Sequence, residues 1–221
     1  MFSVAGSASA VFVKSGAGPA DYPDDGLAEL ALVGRSNVGK STLVNALTGI
    51  RLARTSRAAG KTRLLNVYRL QDGPSRPFHL VDLPGYGYAR GGEKSQEEFE
   101  VLTREYFDSR TGATGTAGRR QPSAFAVLLL VDGRHPGLAS DGRAHDWLAG
   151  LGVPMGVVAT KMDKLTRAER SRAQHAFGRA FTAPVLPVSA ATGEGLKELW
   201  ILIARLLSSH PPQPTHQLSS S

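Results

Sequence analysis

Residues Gly34-Arg35-Ser36-Asn37-Val38-Gly39-Lys40-Ser41 have the types and spacing to grip an anion. They fit G-x-x-x-x-G-K-[ST], the pattern of a loop that wraps nucleotide phosphates when a strand precedes it and a helix follows. The glycines let backbone amides turn inward onto the anion, and the helix N-terminus adds the positive end of its dipole. Lys40 would reach the β- and γ-phosphates, Ser41 would set its hydroxyl on Mg²⁺, and Thr42 extends the run. A glycine-rich turn with a chance Lys-Ser accounts for these residues alone, but not for the motifs that follow them.

Asp82-Leu83-Pro84-Gly85 comes next. Asp82 at a strand end can hold the Mg²⁺ shell through water, and Gly85 can present its N–H to the γ-phosphate. Thr160-Lys161-Met162-Asp163 fits T/N-K-x-D. The Asp163 carboxylate can accept both the N1–H and the 2-amino group of guanine, donors that adenine lacks, and the Lys161 stem would lie along the base plane. Thr160 stands where an Asn is usual. In Val188-Ser189-Ala190 the Ala190 amide would meet guanine O6. In Gly60-Lys61-Thr62-Arg63-Leu64, Thr62 abuts the next strand and is favoured over Thr55 as the second hydroxyl on Mg²⁺.

The elements that must position these motifs alternate. Strands are expected at 10–13, 27–33, 63–70, 78–81, 124–131, 153–160 and 184–188, and helices at 41–47, 93–109, 140–151, 166–181 and 195–207. Gln71-Asp72-Gly73-Pro74 signals a turn, so the strands on either side form an antiparallel hairpin. The 93–109 helix turns Phe99, Leu102, Tyr106 and Val101 inward, and 110–121 reads as a Gly/Thr/Arg-rich loop. This order implies a doubly wound, mostly parallel α/β sheet with one antiparallel strand pair, whose ligands sit at the carboxyl ends of the strands. The phosphate loop, Asp82–Gly85, Thr160–Asp163 and Val188–Ala190 all fall at such ends. The domain plan is an N-terminal strand and connection (1–26), a nucleotide domain (27–207) and a Ser/Pro/Gln/His-rich tail (208–221) expected to be disordered.

At 221 residues, with 41% hydrophobic residues, the chain fits one sizeable domain. With no cysteine it has no disulfide and no thiolate metal site, which fits a reducing cytoplasm. No run is long enough to span a membrane, and no basic region precedes an N-terminal apolar stretch, so neither a span nor a signal peptide is expected. A net charge of +7 favours polyanions. RNA ranks ahead of a merely solvated basic face, and a membrane surface behind both.

Together these motifs resemble those of translational-type GTPases, and more narrowly the EngB family of bacterial ribosome-assembly GTPases. The similarity runs through GRSNVGKST at 34–42, GKTRLLNVY at 60–68, DLPGYGYA at 82–89, TKMDKL at 160–165 and VSAATGEGL at 188–196. It implies a Ras-like three-layer α/β/α P-loop GTPase, GTP and GDP as ligands, Mg²⁺ as cofactor, and a role with the large ribosomal subunit or its RNA. A monomer is the default expectation.

One position shapes the mechanism. Where many small GTPases place a water-orienting Gln after D-x-x-G, this chain has Tyr86. Slow intrinsic hydrolysis follows, unless another group supplies the missing help. Asn37 beside a bound K⁺ is one source, alongside Lys40, Thr62 and Gly85 as catalytic candidates; an RNA or protein surface acting in trans is another. Asn37 is equally suited to a tight loop backbone. Arg51, Arg54, Arg57, Lys61 and Arg63 form a basic loop for RNA phosphates, and Tyr86 and Tyr88 are weaker candidates for base stacking. One further class stays open, and another is opposed by Asp163 and the Thr62 to Gly85 spacing. A nucleotide-sensing regulator acting through a protein partner shares every motif, whereas an ATP-dependent small-molecule kinase shares only the phosphate loop.

Overall fold

The computed structural model describes residues 8–53, 64–72, 75–86, 93–111 and 120–208, with the helix but not the side chains at 93–100. Thr55, Thr62, the rest of 54–63, Tyr88 and the tail from 209 lie outside these residues, as do most of the 110–121 loop and the side chain of Phe99. Seven strands form one sheet: β1 (Ala8–Gly16), β2 (Ala28–Gly34), β3 (Leu65–Asp72), β4 (Phe78–Asp82), β5 (Phe125–Asp132), β6 (Met155–Thr160) and β7 (Val185–Pro187), in the order β1-β3-β4-β2-β5-β6-β7. The helices are α1 (Lys40–Thr48), α2 (Glu93–Thr111), α3 (Ala139–Gly150), α4 (Arg167–Ala180) and α5 (Leu196–Ser208).

Pairings from β4 through β7 are parallel, and β3 runs antiparallel to both β4 and β1. The expected hairpin is therefore present, with β3 as the reversed strand. The turn at its tip lies later than Gln71-Asp72 suggested, because both residues still pair with β1.

The near-continuous apolar strands are covered on both faces. All eight residues of β5 are buried. One face packs Val33, Val81, Val127 and Val157 beneath Tyr106, Phe107, Leu148 and Phe177; the other packs Leu30, Leu80, Leu128 and Val158 beneath Leu43, Leu47, Leu199 and Ile203. Burying each such side chain stabilises by roughly 1.5–3 kcal/mol, which fixes the strand ends that carry the loops.

Two expectations about α2 need correction. Val101 is exposed, and Phe107 takes an inward place beside Leu102 and Tyr106. Arg110, read as the first residue of a mobile loop, belongs to α2 and is buried. Its Nε donates to Glu29 Oε2 at 3.0 Å, its Nη2 donates to the Pro23 carbonyl at 2.8 Å, and the Tyr106 hydroxyl donates to the same Glu29 oxygen at 2.8 Å. This network lies at the amino end of β2, opposite the motif loops.

Candidate functional site

The motif loops converge at the carboxyl ends of β2, β4, β5, β6 and β7. The phosphate-loop sequence leaves β2 and enters α1, and its backbone is already curled. Gly39 has φ +113°, a conformation suited to glycine, and Asn37 sits in the left-handed region at φ +63°, which Asn tolerates better than most residues. The tight-backbone role weighed for Asn37 is thus met, and its side chain is exposed.

Lys40 opens α1 and donates from Nζ to the Gly34 carbonyl at 3.2 Å. Burial holds its pKa below the ordinary lysine value, opposed by the Asp82 charge. Asp82 ends β4 fully enclosed; burial pushes its carboxyl up to about 6, and Lys40 pulls the other way. Asp82 Oδ1 is buried with no hydrogen-bond partner among the described residues. Such an oxygen is costly unless a cation or ordered water completes it, so Asp82 fits a Mg²⁺ shell. No three His, Asp or Glu side chains gather as a cage among the described residues.

The Asp82–Gly85 loop lies directly on the phosphate loop. The Ser36 amide donates to the Tyr86 carbonyl at 3.0 Å, the Ser36 hydroxyl reaches the Gly85 carbonyl at 3.4 Å, and Arg35 and Tyr86 form a parallel bridge. A Cβ on Gly85 would stand 2.6 Å from Ser36 N and 2.8 Å from its Cα. Backbone cannot yield as a side-chain tip can, so Gly85→Ala should part the loops. Since misplacement of about 1 Å costs on the order of 10²-fold, we expect GTP turnover to fall about that much with the fold retained. Wild-type turnover would show the contact to be dispensable.

Tyr86 does not extend freely for base stacking. Its ring packs against the core, and its hydroxyl donates to Asp141 Oδ1 of α3 at 3.0 Å. Burial, then Asp141, raises its pKa well above the ordinary phenol value.

At the other side of the cleft, Lys161 has φ +61° and stretches over the phosphate loop. Its Nζ donates to the Asn37 carbonyl and to Asp132 Oδ2, the latter at 2.9 Å. Thr160 closes the same seam: its hydroxyl lies 2.6 Å from the Val38 carbonyl and 3.1 Å from that of Val131. The hydroxyl at the position of the usual Asn therefore tethers the loop itself. Asp163 leads out in a short 3-10 turn, and its Oδ1 accepts from the buried Ser189 hydroxyl at 2.8 Å. That bond holds its pKa below the ordinary carboxylate value, so Asp163 is an ionised acceptor at neutral pH. Met162 N–H donates to the Val188 carbonyl at 3.3 Å, and Thr192 N–H to Ser189 Oγ at 3.2 Å, drawing the 188–190 loop alongside. Gly60–Arg63 lie outside the described residues; Leu64 is exposed just before β3.

Reading the motifs missed two residues that organise this cleft. Asp132 accepts from Lys161 and, bidentately, from Arg134 at 3.0 and 2.7 Å; these bonds outweigh its partial burial and hold its pKa far below the ordinary range. Asp141 is the partner of Tyr86. The signal for Asp132 was available: it is the one charge in β5, and it stands at the strand's ligand end.

Comparison with known proteins agrees with this geometry. A family described as 50S ribosome-binding GTPase matches residues 29–161. The probable GTP-binding protein EngB of Thermotoga petrophila is 40% identical over 202 residues, covering 90% of this chain and 96% of that protein. That of Solibacter usitatus is 41% identical over 204 residues, covering 92% and 98%. Among solved structures, a probable GTP-binding protein EngB shares the fold with TM-score 0.61 at 22% identity, covering 82% of this chain and 100% of that one. Aquifex aeolicus Era bound to GDP and aluminium fluoride does so with TM-score 0.65 at 22% identity, covering 84% and 58%. With a phosphate-loop cleft at the strand ends and relatives aligned along nearly its whole length, the chain belongs to the EngB family of GTP-binding proteins and is a GTPase.

Proposed function

We propose that the cleft binds GTP with Mg²⁺ and that the resulting switch acts on the large ribosomal subunit through its RNA. The observation that carries the nucleotide part is the gathering of Lys40 after β2, Asp82 and Gly85 after β4, and Asp163 after β6, at one edge of the sheet. Lys40 and the loop amides not already bonded to the protein's own carbonyls would hold the phosphates; Ser41 and Asp82, with Thr62 from the segment outside the described residues, would hold the cation. Mg²⁺, when bound, neutralises charge on the β- and γ-phosphate oxygens. Gly85 carries the nucleotide state into the segment that holds Tyr86. The 27–207 span is the proposed nucleotide domain.

Asp163 reads guanine. Asp163→Asn replaces one accepting oxygen with a donor facing the N1–H or 2-amino group. With about 1.5–3 kcal/mol for each hydrogen bond to a charged group, GTP affinity is expected to fall by about 10²-fold. A xanthine nucleotide, which offers a carbonyl at that place, should gain on GTP. Competition binding with the two nucleotides checks this; an unchanged preference for GTP over XTP would remove Asp163 from the base site.

Tyr86 cannot orient water as an amide does, and its hydroxyl is engaged with Asp141. Hydrolysis is therefore slow without a cation or a partner. K⁺ beside Asn37 is part of this reading, and faster turnover in K⁺ than in Na⁺ buffer, with ribosomal particles present, is its expected sign. Equal rates would remove it.

The ribosomal part draws on the relatives' family description and on the net charge of +7. Co-sedimentation with large ribosomal subunits, in GDP and in a non-hydrolysable GTP analogue, tests it. Salt-sensitive pelleting with the analogue and not with GDP is expected. No pelleting in either state would leave a guanine-nucleotide switch that works through a protein partner.

A further inference from the structure

A groove of about 630 Å³ runs between α4 and the loop after β5, outside the nucleotide cleft. Arg134 lines it from the loop, and Arg172 and Arg179 line it from α4. Its floor is built from short or apolar residues, among them Ala173, Ala176 and Leu165, so the guanidinium groups stand around open space.

We propose that this groove seats the phosphate backbone of double-helical RNA. The proposal rests on the ribosomal reading above for its class of partner, while the location comes from the groove itself. Charge is the first argument. Arg172, His175 and Arg179 are exposed on successive turns of α4, and they share one face because residues three, four and seven apart align on a helix. His175 Nδ1 donates to the Ser171 carbonyl at 2.8 Å, which fixes the ring against the helix. Glu169 is the one carboxylate lining the groove, and it is engaged: its Oε2 accepts from both the Thr166 amide, at 2.7 Å, and the Thr166 hydroxyl, at 2.8 Å. Arg134 is partly neutralised by Asp132 and Arg172 feels the Glu169 charge, so the lining keeps three arginines against one carboxylate, with Arg179 the least compensated.

Shape selects between RNA forms. No Phe, Tyr or Trp lines the groove. The one ring lining it, His175, is bonded back to its own helix, and the rest of the polar lining is mostly cations, which suit the phosphates of a duplex recognised by its backbone and shape. Guanidinium forks suit phosphate oxygens, which accept two parallel N–H bonds.

The test uses the full chain, its Arg172→Glu/Arg179→Glu double variant and the matching Lys/Lys variant. The probes are an RNA hairpin of about 16 base pairs, a single strand of equal length and polyglutamate. Nucleotide affinity serves as the fold control and should match in all three proteins, because neither arginine borders the cleft. Wild type should bind the hairpin more tightly than the strand. The Glu variant should lose at least tenfold in hairpin affinity, and its log K against log salt slope should flatten by about two phosphate contacts, while the Lys variant keeps most of both. Equal hairpin affinity in wild type and the Glu variant overturns the proposal, as does a preference for the strand or for polyglutamate. If wild type pellets with large subunits and the Glu variant pellets equally, the groove falls and the ribosomal reading stands. If wild type binds neither hairpin nor subunit, both fall.

Discussion

Lys40→Ala should abolish tight nucleotide binding and lower GTP turnover by about 10²–10³-fold, the loss typical of removing one preorganised donor from a charge-stabilising site. The lysine stands at the first residue of α1, where the helix dipole already favours an anion. Its ammonium is only loosely used by the protein, through the Gly34 carbonyl at 3.2 Å and the field of Asp82. Burial works against its charge, so an arriving phosphate relieves a strain as well as gaining a contact. Alanine removes the attraction and leaves Asp82 as an uncompensated carboxylate beside the phosphates. Titration calorimetry with GDP and GTP, next to a turnover assay, measures the loss. Normal GTP binding by the variant would overturn the assignment of this loop.

Arg110→Ala should cost about 3–5 kcal/mol of stability, because it strands Glu29 as an unpaired charge inside the protein. Glu29 and Arg110 are both almost fully buried, and the Arg110 guanidinium also lies 5.5 Å from the ring centres of Tyr22 and Tyr106. At about 2–4 °C per kcal/mol for a domain of this size, the midpoint should drop by roughly 10 °C. Adding Glu29→Gln to the variant should recover part of the loss, since a neutral amide is cheaper to bury than a carboxylate. Calorimetric melting of the three proteins checks both steps. A shift within a degree or two for Arg110→Ala would mean that water reaches Glu29.

Most of this architecture was legible from residue patterns. β5 and β6 are unbroken apolar runs between turn residues, and that pattern has one good solution in an α/β sheet. The phosphate loop, Asp82–Gly85 and Thr160–Asp163 declared themselves because each is short, local and placed at a strand end. What resisted reading depends on contacts distant in sequence. Arg110 precedes a Gly/Thr/Arg stretch and looked like surface; only the fold brings it to Glu29, which itself interrupts an apolar strand. Val101 left its expected inward place, and Phe107, which the pattern did not single out, took one, because the phase of a helix face is set by what it packs against. Tyr86 looked available for stacking until α3 presented Asp141. The role of Thr160 became visible only with the Val38 carbonyl beside it.

The main-chain bridge between Ser36 and Tyr86 commits one amide of the phosphate loop to its neighbouring loop. An amide donating to the Tyr86 carbonyl cannot also point at an anion, so a phosphate chain that stops short of Ser36 leaves the bridge closed, and one that reaches it has to open it. At about 1 kcal/mol net for one hydrogen bond, opening the bridge would cost roughly fivefold in affinity, to be offset by what the freed amide gains. Because the bridge is built from backbone atoms, it should survive substitutions at position 86 that keep the chain's path, and yield to those at position 85 that do not.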